Sequence, residues 1–414
     1  MSLTRRGVGL LALAALSALV LPAPVAVGVF VISLVVIGTD AWQVRGLPDV
    51  SVVIPPILSR GVDTAFRVTG PPGVQLRMTP SPDIRLSPLD GTGRIEGTVR
   101  AIRRGRHRLP GPATLAVGPL GLGCWFHRRP EEIQLVVYPD MPAARRIATE
   151  VRLGRFGDAS RRSRGPLGLG TELESIRDYQ PDDDIRQVNW RATARVGTPM
   201  SNTYRIDQER EVIVLLDTGR LMAAPVGDGT ERTRLDVAVD AAAALAETAD
   251  VVGDRVGVVA FDDRVRRRLL PRRDGAAAVI EAIHDLEPSP VESDFEVAFR
   301  LIAHHKRAFV LILTDLMEET AATPLVEAIP LLGRHHAVAV AGVCDPAVVT
   351  ALTTPADREE EAYRTAVAVE IETSRRRAAT LISAYGADVI DTAPASLPRQ
   401  AVAAYLQAKR RARL

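Results

Sequence analysis

The sequence predicts an α/β protein: a doubly wound sheet in the C-terminal half, preceded by a small β-sandwich and, at the N-terminus, a transmembrane helical hairpin. Three observations predict it. From Glu211 onward, short apolar runs such as "EVIVLLD" and "AFVLILTD" alternate with segments apolar at helical spacing. Continuous apolar strands between helices are the mark of a parallel sheet covered on both faces. Residues 46–140 carry short β-branched runs ("DVSVVIPP", "TAFRVTG", "VQLRMTP", "GRIEGTVRAI", "IQLVVYP") broken by Pro and Gly, the spacing of an antiparallel sandwich. Gly7 to Thr39 contains no charged residue.

That apolar stretch would be about 50 Å long as one helix, against a hydrocarbon core of roughly 30 Å. "LPAP" (Leu21–Pro24) interrupts it. The reading is therefore a hairpin within residues 1–45, with spans Gly7–Leu21 and Val25–Thr39, each about 22 Å by helix rise. Arg5 and Arg6 precede the first span, Arg45 follows the second, and the turn carries no charge. The positive-inside rule then places both ends and the soluble domains in the cytoplasm, on a multi-pass protein of the plasma membrane. A secretory signal peptide shares the basic start, but cleavage would leave the second apolar run as a new greasy terminus.

Within 46–140, "RRGRHRLPG" (Arg103–Gly111) reads as a solvated hairpin edge, its charges guarding against edge-to-edge pairing. Residues 141–168 hold seven arginines against two acids with interspersed Gly and Ser, and read as a basic linker. Residues 169–414 form the α/β domain. Its predicted strands are "EVIVLLD", "DRVGVVAF", "VRRRLLP", "AFVLILTD", "HAVAVAGV" and "ADVIDT", and a helix "LPRQAVAAYLQAKRRARL" closes the chain.

Composition narrows the function. Hydrophobic residues make up 46% and charged residues 25%, the balance of globular material, and a net charge of +2 gives no global field for nucleic acid. Cys124 and Cys344 are the only cysteines, which excludes a disulfide framework and a cysteine zinc site. A phosphate-binding Gly-rich loop ending in Lys-Ser/Thr and a Gly-x-Ser-x-Gly elbow are both missing from the sequence. The histidines fall mostly in pairs without metal-ligand spacing, and the lone His107 and His284 are expected on the surface. No catalytic constellation emerges, no small-molecule substrate is indicated, and the chain reads as a binding module rather than an enzyme.

Sites in such sheets lie at the carboxyl ends of strands, which directs attention to Asp217 and Asp315. Their placement resembles the von Willebrand factor A fold, whose adhesion site holds a metal ion through Asp-x-Ser-x-Ser, a Thr and a final Asp. Asp217, Ser293 and Asp315 match, while Gly219 and Leu221 replace both serines. The resemblance thus implies a degenerate metal site, weak or empty, with at most weak Mg²⁺ occupancy. The alternative reading is a metal-dependent hydrolase built on Asp217 and Asp315.

Ahead of the first core strand, "GTELESIRDYQPDDDIRQVNWRATAR" packs six carboxylates among four arginines. It resembles the signature of the bacterial proteins catalogued as domain of unknown function fifty-eight. Gly170, Glu172, Arg177, Tyr179, Asp183, Asp184, Arg186, Trp190, Ala194 and Arg195 match; Asp182 stands where Gly is usual and Asn189 where Asp is usual. The resemblance implies a membrane-anchored adaptor of von Willebrand A type that works with a MoxR-type AAA+ ATPase on some client. From the residues themselves, the stretch is expected to form a latch. Its arginines would pair the acids, Tyr179 and Trp190 would bury their rings, and its outer side would face the partner.

Overall fold

The computed structural model describes residues 1–156, 172–180, 188–205, 210–303, 305, 307–315 and 319–411. The chain is a mixed α/β protein with several sheets, and it divides into two compact units, Met1–Tyr138 and Pro139–Leu414.

The first unit opens with strand β1 (Ser2–Leu3) and helix α1 (Arg5–Leu16), whose N-cap Thr4 accepts a hydrogen bond from the Gly7 N–H. A 3-10 turn (Ser17–Leu19) leads to α2 (Ala23–Gln43). The two helices are unequal, unlike the matched spans expected from the sequence: 12 residues against 21, about 18 Å against about 32 Å by helix rise. The prolines explain the difference. Pro22 is the N-cap of α2 and Pro24 lies in its first turn, where a missing N–H costs no intrahelical bond. Leu21–Pro24 therefore starts the second helix instead of halving one run. Among the described residues, α2 alone is long and apolar enough to cross a membrane.

Eleven short strands follow: β2 (Ser51–Val53), β3 (Ile57–Ser59), β4 (Asp63–Thr69), β5 (Gln75–Arg77), β6 (Ile84–Ser87), β7 (Asp90–Thr92), β8 (Arg94–Ala101), β9 (Gly105–Pro110), β10 (Ala113–Val117), β11 (Gly123–Arg128) and β12 (Glu132–Tyr138). They build three sheets, ordered β1-β11-β10-β5-β7, β2-β4-β8-β6 and β3-β12-β9. Period-2 alternation sets the faces: Phe66 and Val68 of β4, and Ile95 and Val99 of β8, turn inward while Arg67 and Glu96 pair outside. All three sheets feed one core, to which β5, β8, β9 and β12 give Leu76, Val99, Leu109 and Leu135. The expected two-layer sandwich is thus a three-sheet unit, and β12 pairs parallel with β3.

In the second unit, α3 (Met141–Arg152) occupies the start of the expected linker. Asp140 caps it by accepting the Ala143 N–H at 3.0 Å, and Met141, Ala144, Ile147 and Ala148 form its buried stripe. Its arginines lie on the exposed face, which is why composition alone made it look like a linker. A β-hairpin, β13 (Glu172–Asp178) with β14 (Met200–Arg205), carries the short helix α4 (Trp190–Val196) between its strands.

The sheet comprises β15 (Glu211–Asp217), β16 (Arg255–Phe261), β17 (Val265–Arg272), β18 (Ala308–Leu313), β19 (Ala337–Val343) and β20 (Asp388–Thr392), in the order β17-β16-β15-β18-β19-β20. All neighbours are parallel except β17, which runs antiparallel to β16 at the edge. The connections supply α5 (Arg234–Val252), α6 (Ala276–Ile283), α7 (Phe295–Ile302), α8 (Glu319–Gly333), α9 (Pro346–Thr353) and α10 (Glu359–Ala384), and α11 (Leu397–Arg410) ends the described chain. Within β15, Val212, Val214 and Leu216 face one core with α5, α6 and α11. Ile213 and Leu215 face the other with α7, α8 and α10. Burial on both faces explains why these strands read as unbroken apolar runs.

Candidate functional site at the carboxyl edge of the sheet

Strand order reverses at β15: the chain goes from it to β16 on one side and returns to β18 on the other. The crevice beyond the carboxyl ends of β15 and β18 is the place where open α/β sheets bind their ligands. Asp217 ends β15, and Thr314 and Asp315 follow β18.

Asp217 is 3% exposed. Its Oδ1 accepts the Gly219 N–H at 2.7 Å and the Ser293 hydroxyl, and its Oδ2 accepts the Thr314 hydroxyl at 2.6 Å. Burial dominates and pushes the Asp217 carboxyl above its ordinary value of 3.8, although all three donors favour the charge. The loops that bring these donors together are tied by backbone bonds, Ser289 N–H to Thr218 C=O at 2.7 Å and Arg220 N–H to Val291 C=O at 2.8 Å. Gly219 is required by crowding: a Cβ there would sit 2.1 Å from the Ser293 Oγ.

Asp315 turns to a different partner. It is 6% exposed and forms an ion pair with Arg234, which is 4% exposed and opens α5. A cation in the first helical turn opposes the helix dipole, so the carboxylate has to offset that placement. Burial, followed by the like charge of Arg375, brings the Arg234 guanidinium from 12.5 down to about 10, still protonated at neutral pH. Arg375 in turn binds the Val343 C=O at 2.9 Å and Asp391 through Nε at 3.2 Å. On the other flank Asp262, 1% exposed, accepts from Arg266 at 2.6 Å. Burial opposes its charge, yet Arg266 and its other donors prevail and hold its carboxyl below the usual range.

Of the three residues expected to form the edge site, the structure joins Asp217 to Ser293 and sends Asp315 to Arg234. Thr314, Asp262, Arg234 and Arg375 complete the cluster and were not singled out from the sequence. One signal for Arg234 was available, an arginine where a helix N-terminus disfavours positive charge. Leu221 lies half-buried in a 3-10 turn (Arg220–Ala223). His284, expected on the surface, is fully buried, with its Nδ1 2.8 Å from the Glu281 C=O.

The signature stretch differs from the expected latch. Gly170, Asp183, Asp184 and Arg186 lie outside the described residues, and Glu172 opens β13. Arg177 is exposed and donates to the Asp178 C=O at 3.0 Å; Tyr179 is half-buried; Arg195 is exposed in the last turn of α4. Trp190 is 71% exposed, so its ring is not buried as expected. Polar contacts hold α4 instead. Asn189 Oδ1 caps it from the Ala192 N–H at 3.0 Å, Asn189 Nδ2 reaches Asn202 at 2.9 Å, and the Thr193 hydroxyl accepts the Met200 N–H at 3.0 Å. Asn189 thus performs the capping for which its short polar side chain suits it.

The family model described as "Protein of unknown function DUF58" matches residues 175–388, over half of the 414-residue chain. The chain belongs to the DUF58 family. The matched region of this DUF58 chain begins inside β13 and runs to the start of β20, and it contains the whole edge cluster except Asp391. Uncharacterized proteins of Mycobacterium tuberculosis and Mycobacterium bovis are 29% identical over 187 residues, which is 43% of this chain and 56% of theirs. The chain thus spans about half the length of the curated relatives it matches. Among solved structures, a point mutant of the PilB minor pilin from Streptococcus sanguinis aligns over 91% of this chain and 94% of its own, at 8% identity and a TM-score of 0.38. The SrpA adhesin of the same species covers 33% of this chain at 13% identity and a TM-score of 0.15. At those scores neither likeness bears on fold or function.

Proposed function

We propose that this DUF58 protein is a membrane-anchored, non-catalytic interaction protein. Its second unit is a von Willebrand factor A-like domain that engages a protein partner, a MoxR-type AAA+ ATPase in the reading the family resemblance favours, during assembly or maturation of a client. The observation that carries the non-catalytic part is the edge cluster. The carboxylates of Asp217 and Asp315 are buried and engaged by the chain's own hydroxyls, amide and guanidinium groups, which supports a non-catalytic reading.

The same arrangement supports a metal-independent edge. A divalent ion wants free oxygen ligands, but Asp217 is taken by Ser293, Thr314 and Gly219, and Asp315 by Arg234. Gly219 and Leu221 offer no side-chain oxygen. The Arg234 guanidinium already supplies the positive charge beside Asp315.

Anchoring is supported by α2, which is long and apolar enough to cross a membrane, and by Arg5, Arg6 and Arg45 at the ends of the helical pair; in this reading both units lie on the cytoplasmic side. The purified full chain is expected to show no Mg²⁺- or Mn²⁺-dependent turnover of phosphoesters above that of Asp217→Asn. Metal-dependent turnover that disappears in Asp217→Asn would favour a hydrolase and overturn the proposal.

A further inference from the structure

We propose that the turn between β10 and β11, residues 118–122 of the first unit, lies in the headgroup–hydrocarbon boundary of the membrane, and that the surface around it takes anionic lipid headgroups. The inference rests on the membrane anchoring proposed above and adds a lipid-contacting site outside the two helices.

The turn is bonded to the ends of both helices. Asp40, in the last turns of α2, is 1% exposed. Its Oδ1 accepts the Leu120 N–H at 2.8 Å, and its Oδ2 accepts the Leu122 and Gly123 N–H groups, each at 2.9 Å. On the α1 side, the Thr4 N–H donates to the Leu122 C=O at 3.1 Å, and Ser2–Leu3 pair as a strand with Cys124 and Gly123. Three glycines let the backbones touch. A Cβ on Gly123 would lie 2.6 Å from the Ala41 Cβ, one on Gly118 2.4 Å from the Asp40 Cγ, and one on Gly7 2.1 Å from the Leu122 oxygen. Helices and turn therefore sit at one depth.

That depth follows from the helix. Asp40 comes 17 residues after Ala23 along α2, about 26 Å at the rise of an α-helix, inside a hydrocarbon core of roughly 30 Å. A carboxylate there needs donors that travel with it, and the amides of Leu120, Leu122 and Gly123 are those donors. The rest of the surface fits the boundary. Leu120 and Trp42 are each 59% exposed, and the Arg45 guanidinium lies 4.0 Å from the centre of the Trp42 ring. The Arg6 side chain lies over Gly121. Asp40 is the one acid in residues 1–48, residues 111–130 contain none, and Arg5, Arg6, Arg45, Arg128 and Arg129 fall in these two segments. An aromatic ring and arginines beside exposed leucine match the composition of a membrane interface facing anionic lipid.

The test uses the full chain, with Cys124→Ala and Cys344→Ala, reconstituted into vesicles of phosphatidylcholine with or without phosphatidylglycerol. Single cysteines at Leu120→Cys, Val27→Cys (second turn of α2) or Glu361→Cys (half-buried in the first turn of α10) carry an environment-sensitive fluorophore, and lipids bearing a nitroxide near the headgroup quench it. Quenching at positions 120 and 27 but not at 361 is the expected result. Quenching at 27 without quenching at 120 overturns this inference and leaves the anchor intact, whereas no quenching at 27 refutes the anchor itself. In addition, the preference for spin-labelled phosphatidylglycerol over phosphatidylcholine is expected to fall about fivefold per arginine in Arg6→Gln and Arg45→Gln. An unchanged preference overturns the headgroup assignment.

Discussion

Arg234 and Asp315 show what a single pair does at the edge of this sheet. Both are buried, so removing one partner leaves an uncompensated charge in a poorly solvated site. Arg234→Met is expected to destabilise the second unit by about 3–5 kcal/mol, and adding Asp315→Leu to restore most of that. Chemical denaturation of the three proteins checks it, and a double variant no better than the single would contradict the pairing. Asp217 supplies a pH test. Its carboxyl is raised above 3.8 by burial, so the folded chain holds the proton more tightly than the unfolded one. Stability linked to this group is then greatest below the ordinary pKa and is lost as pH rises through the folded value. The melting temperature of Asp217→Asn minus that of the parent is expected to grow between about pH 4 and about pH 8; a difference that shrinks over that range would reverse the sign. Asp217 and Asp315 were legible in the sequence because they end apolar runs. The place of Arg234 at a helix start was a signal, but its pairing with Asp315 became visible only in the fold.

At the scale of elements, the hairpin β13–β14 and its helix α4 carry the family signature in a form that sequence reasoning misjudged. A tryptophan amid paired charges suggested a buried anchor, but helix α4 is held by Asn189, Asn202 and Thr193, and Trp190 is left in solvent. Trp190→Ala is therefore expected to change stability by less than about 0.5 kcal/mol. Asn189→Ala, which removes the cap, should cost about 1 kcal/mol. Urea titration that found Trp190→Ala the more damaging of the two would revive the buried-anchor reading. Apart from the short helix α9, strand and helix assignments along 211–410 were readable because burial on both faces leaves continuous apolar strands. α3 was not, because its arginines all belong to one exposed face and hide the buried stripe of Met141, Ala144, Ile147 and Ala148.

At the scale of the whole molecule, two units meet at Tyr138–Pro139, one bearing the apolar helices and the other the α/β sheet. An apolar N-terminus, a strand-rich middle and an alternating C-terminal half were visible as patterns of residue order in the sequence. The three-sheet build of the middle was not, because strands of three to eight residues carry too little pattern to fix their partners. The membrane reading places everything after residue 45 in the cytoplasm. Protease added to intact spheroplasts is expected to leave that region whole, and cleavage from outside would refute the topology. The protein is proposed to act by binding an ATPase and not by chemistry of its own. Affinity purification of the full chain from native membranes, with ATP or without it and with or without a divalent-metal chelator acting on the purified chain alone, tests that claim most directly. A AAA+ ATPase is expected to co-purify in an ATP-dependent manner, and prior metal stripping of the chain is expected to make no difference. Recovery without any ATPase in either nucleotide state, or capture that is lost once the chain is stripped of metal, would contradict it.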